Sequence, residues 1–214
     1  MAIRRCLLPL PLLSALPLWA GSARGDDVQW GNVNGGSFST PANWIGGVVP
    51  GAGSSAYFGR TRNPDQQLAY TVTFASSPSN VALEVASDRV TLDLNGNVYS
   101  LTDPIFAMRL GSTTGGSGRL TITDGIVATA PDSQVMLGSS AGAAGFLTLS
   151  TGAQLFGPYV RVGTQSPGTF RVQNGADLVG GRLDVGSGIS PRIAGSATVT
   201  GVGSTMVIEQ LRVG

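Results

Sequence analysis

The sequence predicts an all-β fold, a β-solenoid in which successive coils of the chain stack on one another. One observation behind this prediction is a repeat in the second half of the chain, and the other is the alternation of apolar and polar residues within each copy. The first repeated element is apolar–x–apolar–Gly, and its glycines are Gly111, Gly138, Gly163, Gly186 and Gly214. Subtraction places them 27, 25, 23 and 28 residues apart, a suitable length for one coil of a β-helix.

The second repeated element is an alternating segment between two glycines. It occupies residues 118–125, 145–152 and 168–175, with a looser copy at 195–203. Period-two alternation is typical of a half-buried strand, so one set of side chains is expected to face the core. The predicted inward residues are Leu120, Ile122, Leu147, Leu149, Phe170, Val172, Ala197 and Val199. The predicted outward residues are Thr121, Thr123, Thr148, Ser150, Arg171, Gln173, Thr198 and Thr200.

The glycines of the second element are expected at corners, where the chain needs positive φ or a close approach between backbones. Asp124, Thr151 and Asn174 precede three of these glycines and are typical turn residues. A single coil cannot bury its apolar face, so the copies are expected to stack about 4.8 Å apart into a continuous core. The Gly-rich repeats are assigned to residues 108–214.

Residues 26–107 are less regular and are interpreted as an N-terminal capping segment followed by the first β-coils. Residues 70–74 and 90–94 alternate as strands do, and the turn at 95–97 is followed by a return strand at 98–101. Aromatic residues are concentrated here, at Trp30, Trp44 and Tyr57. An atypical, aromatic-rich first unit is expected where a solenoid must cover an otherwise open core end.

The first 25 residues have the features of a secretory signal peptide. Arg4 and Arg5 form a positive N-terminal region, an apolar stretch follows, and small residues end the segment. The remaining chain carries 10 basic and 12 acidic residues, a net charge of −2, and this balance disfavours nucleic acid or an anionic membrane as a partner. No later segment is apolar and long enough to predict a membrane span.

The repeats and the opening segment resemble a known class of proteins. The stretch GFLTLSTGAQL, followed by YVRVG, GTFRVQNGADL, LDVG and LRVG, is similar to the Gly-rich repeats of bacterial autotransporter-associated and planctomycete-type β-helical surface proteins. The segment from Trp30 through PANW to AYF resembles the part that opens such proteins after the signal peptide. The resemblance implies a right-handed parallel β-helix and export to the cell surface or extracellular space, often with a C-terminal sorting or translocation module. The chain opens another coil at residues 211–214 without such a module, so we expect it to be a fragment or to continue.

The residue inventory limits the chemistry. There is no His, and Cys6, the one Cys, lies in the predicted signal peptide, so Ser–His–Asp, Cys–His and His-based zinc sites are excluded. The sequence therefore predicts no cofactor, no metal and no enzymatic activity. One alternative is a carboxylate-based polysaccharide-cleaving enzyme using Glu84, Asp88 and Asp93 on one face. Solvated strand and turn residues are the simpler interpretation of these three carboxylates.

The possible ligand contacts form two groups. Trp30, Trp44 and Tyr57 are candidate stacking platforms for a sugar, although such aromatics are more often core or cap residues. Arg109, Arg161 and Arg212 occupy one position of the first repeated element together with Asp184, which is expected to form exposed ion pairs between two of the arginines. Such a column is either a site for an acidic glycan or a solvated ladder. The Thr pairs also resemble the hydroxyl arrays of solenoids that order water, and Arg171 and Gln173 interrupt them.

The predicted function follows from the repeats and the expected export. The chain is expected to be a structural or adhesive β-solenoid of the cell surface or extracellular matrix, with a secreted carbohydrate-binding module as the alternative. Expected partners are polysaccharides, other surface proteins, or further copies that associate through open solenoid ends.

Overall fold

The computed structural model describes residues 26–59, 67–186 and 193–214, and the predicted signal peptide lies outside them. Within these residues the protein is all-β, and its parallel strands stack into a β-solenoid of about six turns. A short 3₁₀ turn at Pro41–Asn43 is the one helical element in this part of the chain. No helix among the described residues has the length and apolar character that crossing a bilayer requires. The predicted solenoid class is confirmed.

The first face of the solenoid is a parallel sheet that runs its whole length. Its strands are β1 (Asp27–Gln29), β3 (Ser55–Phe58), β6 (Leu83–Val85), β9 (Phe106–Leu110), β12 (Gln134–Leu137), β15 (Tyr159–Val162) and the C-terminal halves of β17 (Asp177–Val185) and β19 (Thr205–Val213). The sequence-based boundary between residues 107 and 108 lies within β9.

The second face is built from the N-terminal halves of β17 and β19 together with four shorter strands. These are β5 (Ser79–Asn80), β8 (Val98–Leu101), β11 (Ile126–Thr129) and β14 (Gln154–Phe156). Because β17 and β19 pass around the corner without a break, the first and second faces form one 12-stranded sheet.

The third face is a separate seven-stranded parallel sheet. Its strands are β2 (Gly36–Ser37), β4 (Ala69–Thr73), β7 (Arg89–Asp93), β10 (Ser117–Thr123), β13 (Ala144–Ser150), β16 (Gly168–Gln173) and β18 (Gly195–Thr200). A typical coil contributes one strand to each face in turn, as β12, β13 and β14 do. Residues that are close in sequence within a coil therefore point away from the solenoid in three different directions.

The predicted register of the third face is confirmed. Leu120, Leu147, Phe170 and Ala197 lie in one inward column, and Ile122, Leu149, Val172 and Val199 lie in the neighbouring one. The side chains of both columns are buried in β10, β13 and β16. Only in β18 do the predicted inward residues reach solvent, because no further coil of the described residues covers them.

The corners combine positive φ with close backbone contact, as the repeat predicts. Asp124, Thr151 and Asn174 have φ of 50°, 52° and 54°, a conformation that turn residues of this kind tolerate. At the opposite end of β13, a Cβ atom added to Gly145 would lie 2.6 Å from the carbonyl oxygen of Leu110. Of the two glycines that flank each alternating segment, the first therefore allows close backbone contact, and the second follows a residue with positive φ.

The turn after β7 does not form a hairpin, and this part of the sequence-based interpretation is wrong. Asn95 and Gly96 adopt the positive φ values of 48° and 76° that a tight turn needs. The return strand β8, however, pairs in parallel with β5 and β11 on the second face and not with β7. Local turn chemistry is the same at a hairpin and at a solenoid corner, so only the stacking of later coils distinguishes the two.

The N-terminal end of the solenoid is closed by a cluster of aromatic rings. Trp30 packs edge-on against Trp44 with ring centroids 4.9 Å apart and stacks over Tyr70 at 6.1 Å. Phe38 stacks on Phe74 at 4.7 Å and connects the cluster to the next coil. Both indole N–H groups donate to backbone carbonyl oxygens, Trp30 to Asn32 at 2.6 Å and Trp44 to Phe38 at 2.7 Å. The cap thus buries large apolar area without leaving its polar atoms unbonded.

The last coil leaves its apolar interior in contact with solvent. A groove of about 230 Å³ opens there, lined by Leu183, Val185, Ala197, Val199, Met206, Ile208, Leu211 and Val213. Val199 is 43% exposed and Leu211 60% exposed, whereas their counterparts in inner coils are buried. The two ends of the described solenoid therefore differ, with rings covering one core end and solvent reaching the other.

Candidate functional site

The first face carries a continuous column of outward side chains that contains four of the six predicted ligand contacts. We call it the arginine column. Strand register aligns its members in the order Tyr57, Glu84, Arg109, Met136, Arg161, Asp184 and Arg212. The sequence placed the three arginines and Asp184 on one column correctly. It did not align Tyr57 and Glu84 with them, because Ala86 replaces the marking glycine after Glu84 and so separates the Gly59 that follows Tyr57 from the later copies.

Arg109 is not a free cation. Its guanidinium forms an ion pair and a hydrogen bond with the carboxylate of Glu84, one strand earlier in the column. The hydroxyl of Ser112 donates to the other oxygen of the same carboxylate at 2.6 Å. The Glu84 side chain is only 12% exposed, so the pair is partly withdrawn from water. A ligand anion at Arg109 would compete with a carboxylate that is already in place.

Asp184 differs from its predicted role as an exposed partner of Arg161 and Arg212. Its side chain is 3% exposed, and Arg182 makes a two-pronged contact with it through donations of 2.7 and 2.6 Å. The hydroxyl of Tyr159 donates to the same carboxylate, and the guanidinium of Arg182 lies 4.5 Å from the centre of the Tyr159 ring. The pairing arginine comes from two residues earlier in the same strand, a geometry that no repeat alignment predicts.

The electrostatics of this cluster follow from burial and hydrogen bonding. Burial alone raises the pKa of Asp184, but the hydrogen bonds from Arg182 and Tyr159 outweigh it, and the net result is a lowered pKa. The pKa of Tyr159 is raised by burial first and by its hydrogen bond to Asp184 second. The hydrogen bond to Asp184 also raises the pKa of Arg182. The cluster holds its charges firmly and is suited to a structural role.

Replacing Asp184 with Asn is expected to remove a pH-dependent part of the stability. A lowered folded-state pKa means that the carboxylate stabilises the protein above its unfolded pKa, near 3.8, and that this contribution is lost as pH falls through the folded value. The free energy of unfolding of the wild type is therefore expected to exceed that of D184N at pH 7, and this difference is expected to shrink by pH 3. Urea unfolding at both pH values measures it, with Asp132→Asn at an exposed turn as the control. A difference that is equal at both pH values would contradict this account.

Arg161 and Arg212 are the remaining cations of the arginine column. One terminal nitrogen of Arg161 donates to the side-chain oxygen of Gln134 at 3.3 Å, and the guanidinium lies 5.8 Å from the Tyr159 ring centre. The Nε atom of Arg161 is buried and has no hydrogen-bond partner among the described residues. Arg212 is exposed on the last coil. Within the arginine column, Arg161 is therefore a half-buried cation and Arg212 an exposed one, and neither belongs to an ion pair among the described residues.

Trp30 and Trp44 are not surface platforms, and this correction removes two predicted ligand contacts. Their relative exposures are 0% and 3%, and their ring faces pack against other rings of the cap. Stacking a sugar on either ring would require the cap to open. Tyr57 is half-buried at the start of the arginine column, where burial is the main cause of its raised pKa.

The three carboxylates considered for polysaccharide cleavage do not share a face. Glu84 points outward from β6 on the first face, and Asp93 lies at the end of β7 on the third face. Asp88 is 0% exposed at the corner between these strands and accepts a hydrogen bond of 2.8 Å from the hydroxyl of Tyr70. The arrangement of two carboxylates around one sugar bond that glycosidases use is not formed by this set.

The outer surface of the third face is a second polar surface, and the sequence predicted only part of it. One column, which we call the hydroxyl column, aligns Thr71, Thr91, Thr121, Thr148, Arg171 and Thr198. Beside it lies a column of Ala69, Arg89, Arg119, Phe146, Thr169 and Ser196. The alternation in residues 70–74 and 90–94 was the available signal for Thr71 and Thr91, the first two members of the hydroxyl column. Nothing in the sequence aligned these two strands with the later repeats.

No group of three or more potential metal ligands of the His, Cys, Asp or Glu type occurs in the described part of the chain. Comparison with protein families, with curated proteins and with solved structures found no match to the sequence or the fold.

Proposed function

We propose that the protein is an exported structural or adhesive β-solenoid of the cell surface or extracellular matrix. The observation that carries the proposal is the set of three sheet faces, each a regular lattice of outward side chains about 4.8 Å apart along the solenoid axis. Such a lattice offers repeated contacts to a polymer or another surface, whereas a small molecule is usually held in a concave pocket. The secretory features of residues 1–25 support export.

Rigidity supports the same role. Every inner strand is hydrogen-bonded on both sides, and the core is a continuous stack of apolar columns from the cap to the last coil. The six coils of the described residues, at about 4.8 Å each, span about 29 Å along the axis. The structural role is proposed to act through adhesion of the faces or through assembly of several copies.

Assembly is proposed to use the open end. The apolar groove at the last coil and the unpaired edges of β18 and β19 are what a second chain needs for edge pairing. The opposite end is closed by the aromatic cap, so self-association through a solenoid end is proposed to use the open end.

The proposal predicts export and binding or assembly of the exported chain. The full chain, expressed in a bacterial host, is expected in the secreted or surface fraction, whereas a chain without residues 1–25 is expected in the cytoplasm. The secreted protein is then tested by pull-down on a panel of insoluble and immobilised polysaccharides at physiological salt, and its mass is followed by sedimentation over a range of concentrations. Binding to one polysaccharide class or reversible association supports the proposal. A strictly monomeric protein that binds no member of the panel would contradict it.

A further inference from the structure

The hydroxyl column presents unused hydrogen-bonding groups on a flat surface. Five of its six members are threonines, and Thr71, Thr91, Thr121, Thr148 and Thr198 show no side-chain hydrogen bond to any described residue. Successive hydroxyls lie about 4.8 Å apart, too far to bond to one another but regular along the axis. A third column beside them aligns Ser37, Thr73, Asp93, Thr123, Ser150, Gln173 and Thr200. Ser150, predicted to face outward, is buried and accepts a hydrogen bond from Asn174, so it is not available to a ligand. Together the other groups suit a ligand with many hydroxyls along its length.

Two like charges stand side by side on the same surface. Arg89 of β7 and Arg119 of β10 are register neighbours, and we call them the arginine pair. The described residues contain two ion pairs, Arg109–Glu84 and Arg182–Asp184, and both lie on the first face. Neither member of the arginine pair is therefore neutralised by a carboxylate within the described chain. Adjacent like charges are unfavourable on a sheet, so an external anion would relieve the arrangement.

Arg119 is held in place in a manner that suits a binding residue. Its guanidinium lies over the ring of Phe146, 3.7 Å from the ring centre, which fixes the long side chain flat against the sheet. Its Nε atom is buried without a hydrogen-bond partner among the described residues. The pKa of Arg119 is lowered by burial and by the charge of Arg89. The guanidinium of Arg119 thus carries a charge that is held in place and not neutralised, which an acidic group on a ligand would pair with.

The charge of this face has the opposite sign to that of the chain after residue 25. Its three columns contain three arginines, Arg89, Arg119 and Arg171, and one carboxylate, Asp93, which gives 3 − 1 = +2. Residues 26–214 together carry −2. On the first face, by contrast, Glu84 and Asp184 already pair with Arg109 and Arg182, and the carboxylate of Asp184 lies between the positions of Arg161 and Arg212 in register. An acidic ligand is therefore better matched to the third face than to the arginine column.

We propose that the outer surface of the third face binds an acidic polysaccharide, with Arg89, Arg119 and Arg171 pairing with its carboxylate or sulfate groups and the threonine hydroxyls bonding to its sugar hydroxyls. The polymer lies along the columns, parallel to the solenoid axis. Along that axis Arg89 and Arg119 are one strand apart and Arg119 and Arg171 two strands apart, about 4.8 and about 9.6 Å. This inference deepens the proposed adhesive function and rests on it.

The test compares matched polymers and matched variants of the secreted full chain. Dextran sulfate with dextran, and polygalacturonate with its methyl ester, differ in charge and not in backbone. The double variant R89Q/R119Q removes the arginine pair, and R161Q/R212Q removes the same charge from the first face. We expect tighter binding to the acidic member of each pair, weakened by added salt, and a loss of about tenfold or more in R89Q/R119Q. The control R161Q/R212Q is expected to bind within about twofold of the wild type.

A second variant tests the hydroxyls without changing charge. Thr121→Val with Thr148→Val keeps side-chain shape and strand propensity, and it is expected to weaken binding several-fold while leaving the melting temperature unchanged. Equal binding by R89Q/R119Q and the wild type, or equal binding of dextran and dextran sulfate, would overturn the inference. A loss confined to R161Q/R212Q would overturn it in favour of the first face. If the protein binds only neutral polysaccharides or only associates with itself, the inference fails while the adhesive or structural function stands.

Discussion

Replacing Trp30 with alanine is expected to lower the free energy of unfolding by about 3–5 kcal/mol. Trp30 is fully buried, contacts three other rings and donates its indole N–H to the carbonyl of Asn32. Truncation leaves a large cavity at the end of the core and removes the lid that separates the first coil from water. Folded domains are stable by only about 5–15 kcal/mol, so the loss is a large fraction of the total.

The measurement is urea unfolding followed by two signals. Trp44 remains in W30A and reports on the cap by fluorescence, while far-ultraviolet circular dichroism reports on all the sheets. Because each coil contacts mainly its neighbours, the cap is expected to unfold at lower urea than the later coils. Ile45→Ala is the control, since Ile45 is adjacent to Trp44 but 51% exposed. A W30A protein as stable as the wild type would show that the rings do not hold the cap.

The sequence left two interpretations of the aromatic residues open, and the structure decides between them. Composition alone allowed Trp30 and Trp44 to be either sugar platforms or cap residues, because both roles favour large rings. The direction of each ring is decided by packing against Phe38, Phe58 and Tyr70, which come from different coils. Sequence periodicity carries no information on such contacts, so the cap was predictable as a segment and not as an arrangement of side chains.

The outward columns show where prediction succeeds and where it ends. The alignment of Arg109, Arg161, Asp184 and Arg212 needed only the spacing of the repeat glycines, and strand pairing confirms it. The partners of these residues were not predictable in the same way. Asp184 pairs with Arg182 because the long, flexible side chain of Arg182 lies along its own strand and reaches the buried carboxylate. The repeat pattern of the sequence predicts strand register, but it does not predict side-chain conformation.

The arginine pair illustrates a second limit. Arg119 belongs to a regular repeat, but Arg89 precedes the first copy that the glycines mark. Their proximity depends on β7 pairing with β10 in register, and the sequence predicted β7 as half of a local hairpin instead. Because the turn at Asn95 was interpreted as a local hairpin, the sequence did not predict the outer surface of the third face, on which Arg89 lies beside Arg119.

Replacing Gly145 with alanine is expected to destabilise the centre of the solenoid by about 3 kcal/mol. Alanine in a strand normally stabilises relative to glycine, by about 0.5–1 kcal/mol, because it restricts the unfolded chain. At Gly145 the added Cβ would lie 2.6 Å from the carbonyl oxygen of Leu110 and closer still to the amide nitrogen of Gly138. Both atoms belong to paired backbone, so relief requires the coils to move apart.

Gly181→Ala provides the matched control, because it also lies in a strand and its added Cβ would have no atom within 4 Å. We expect G181A to be neutral or slightly more stable than the wild type in urea unfolding, and G145A to be less stable. The sign of the difference is the diagnostic feature. Stabilisation by both substitutions would mean that the recurrence of glycine along this chain reflects turn conformation alone. Destabilisation confined to G145A would instead show that direct contact between neighbouring backbones fixes the corner at the start of β13.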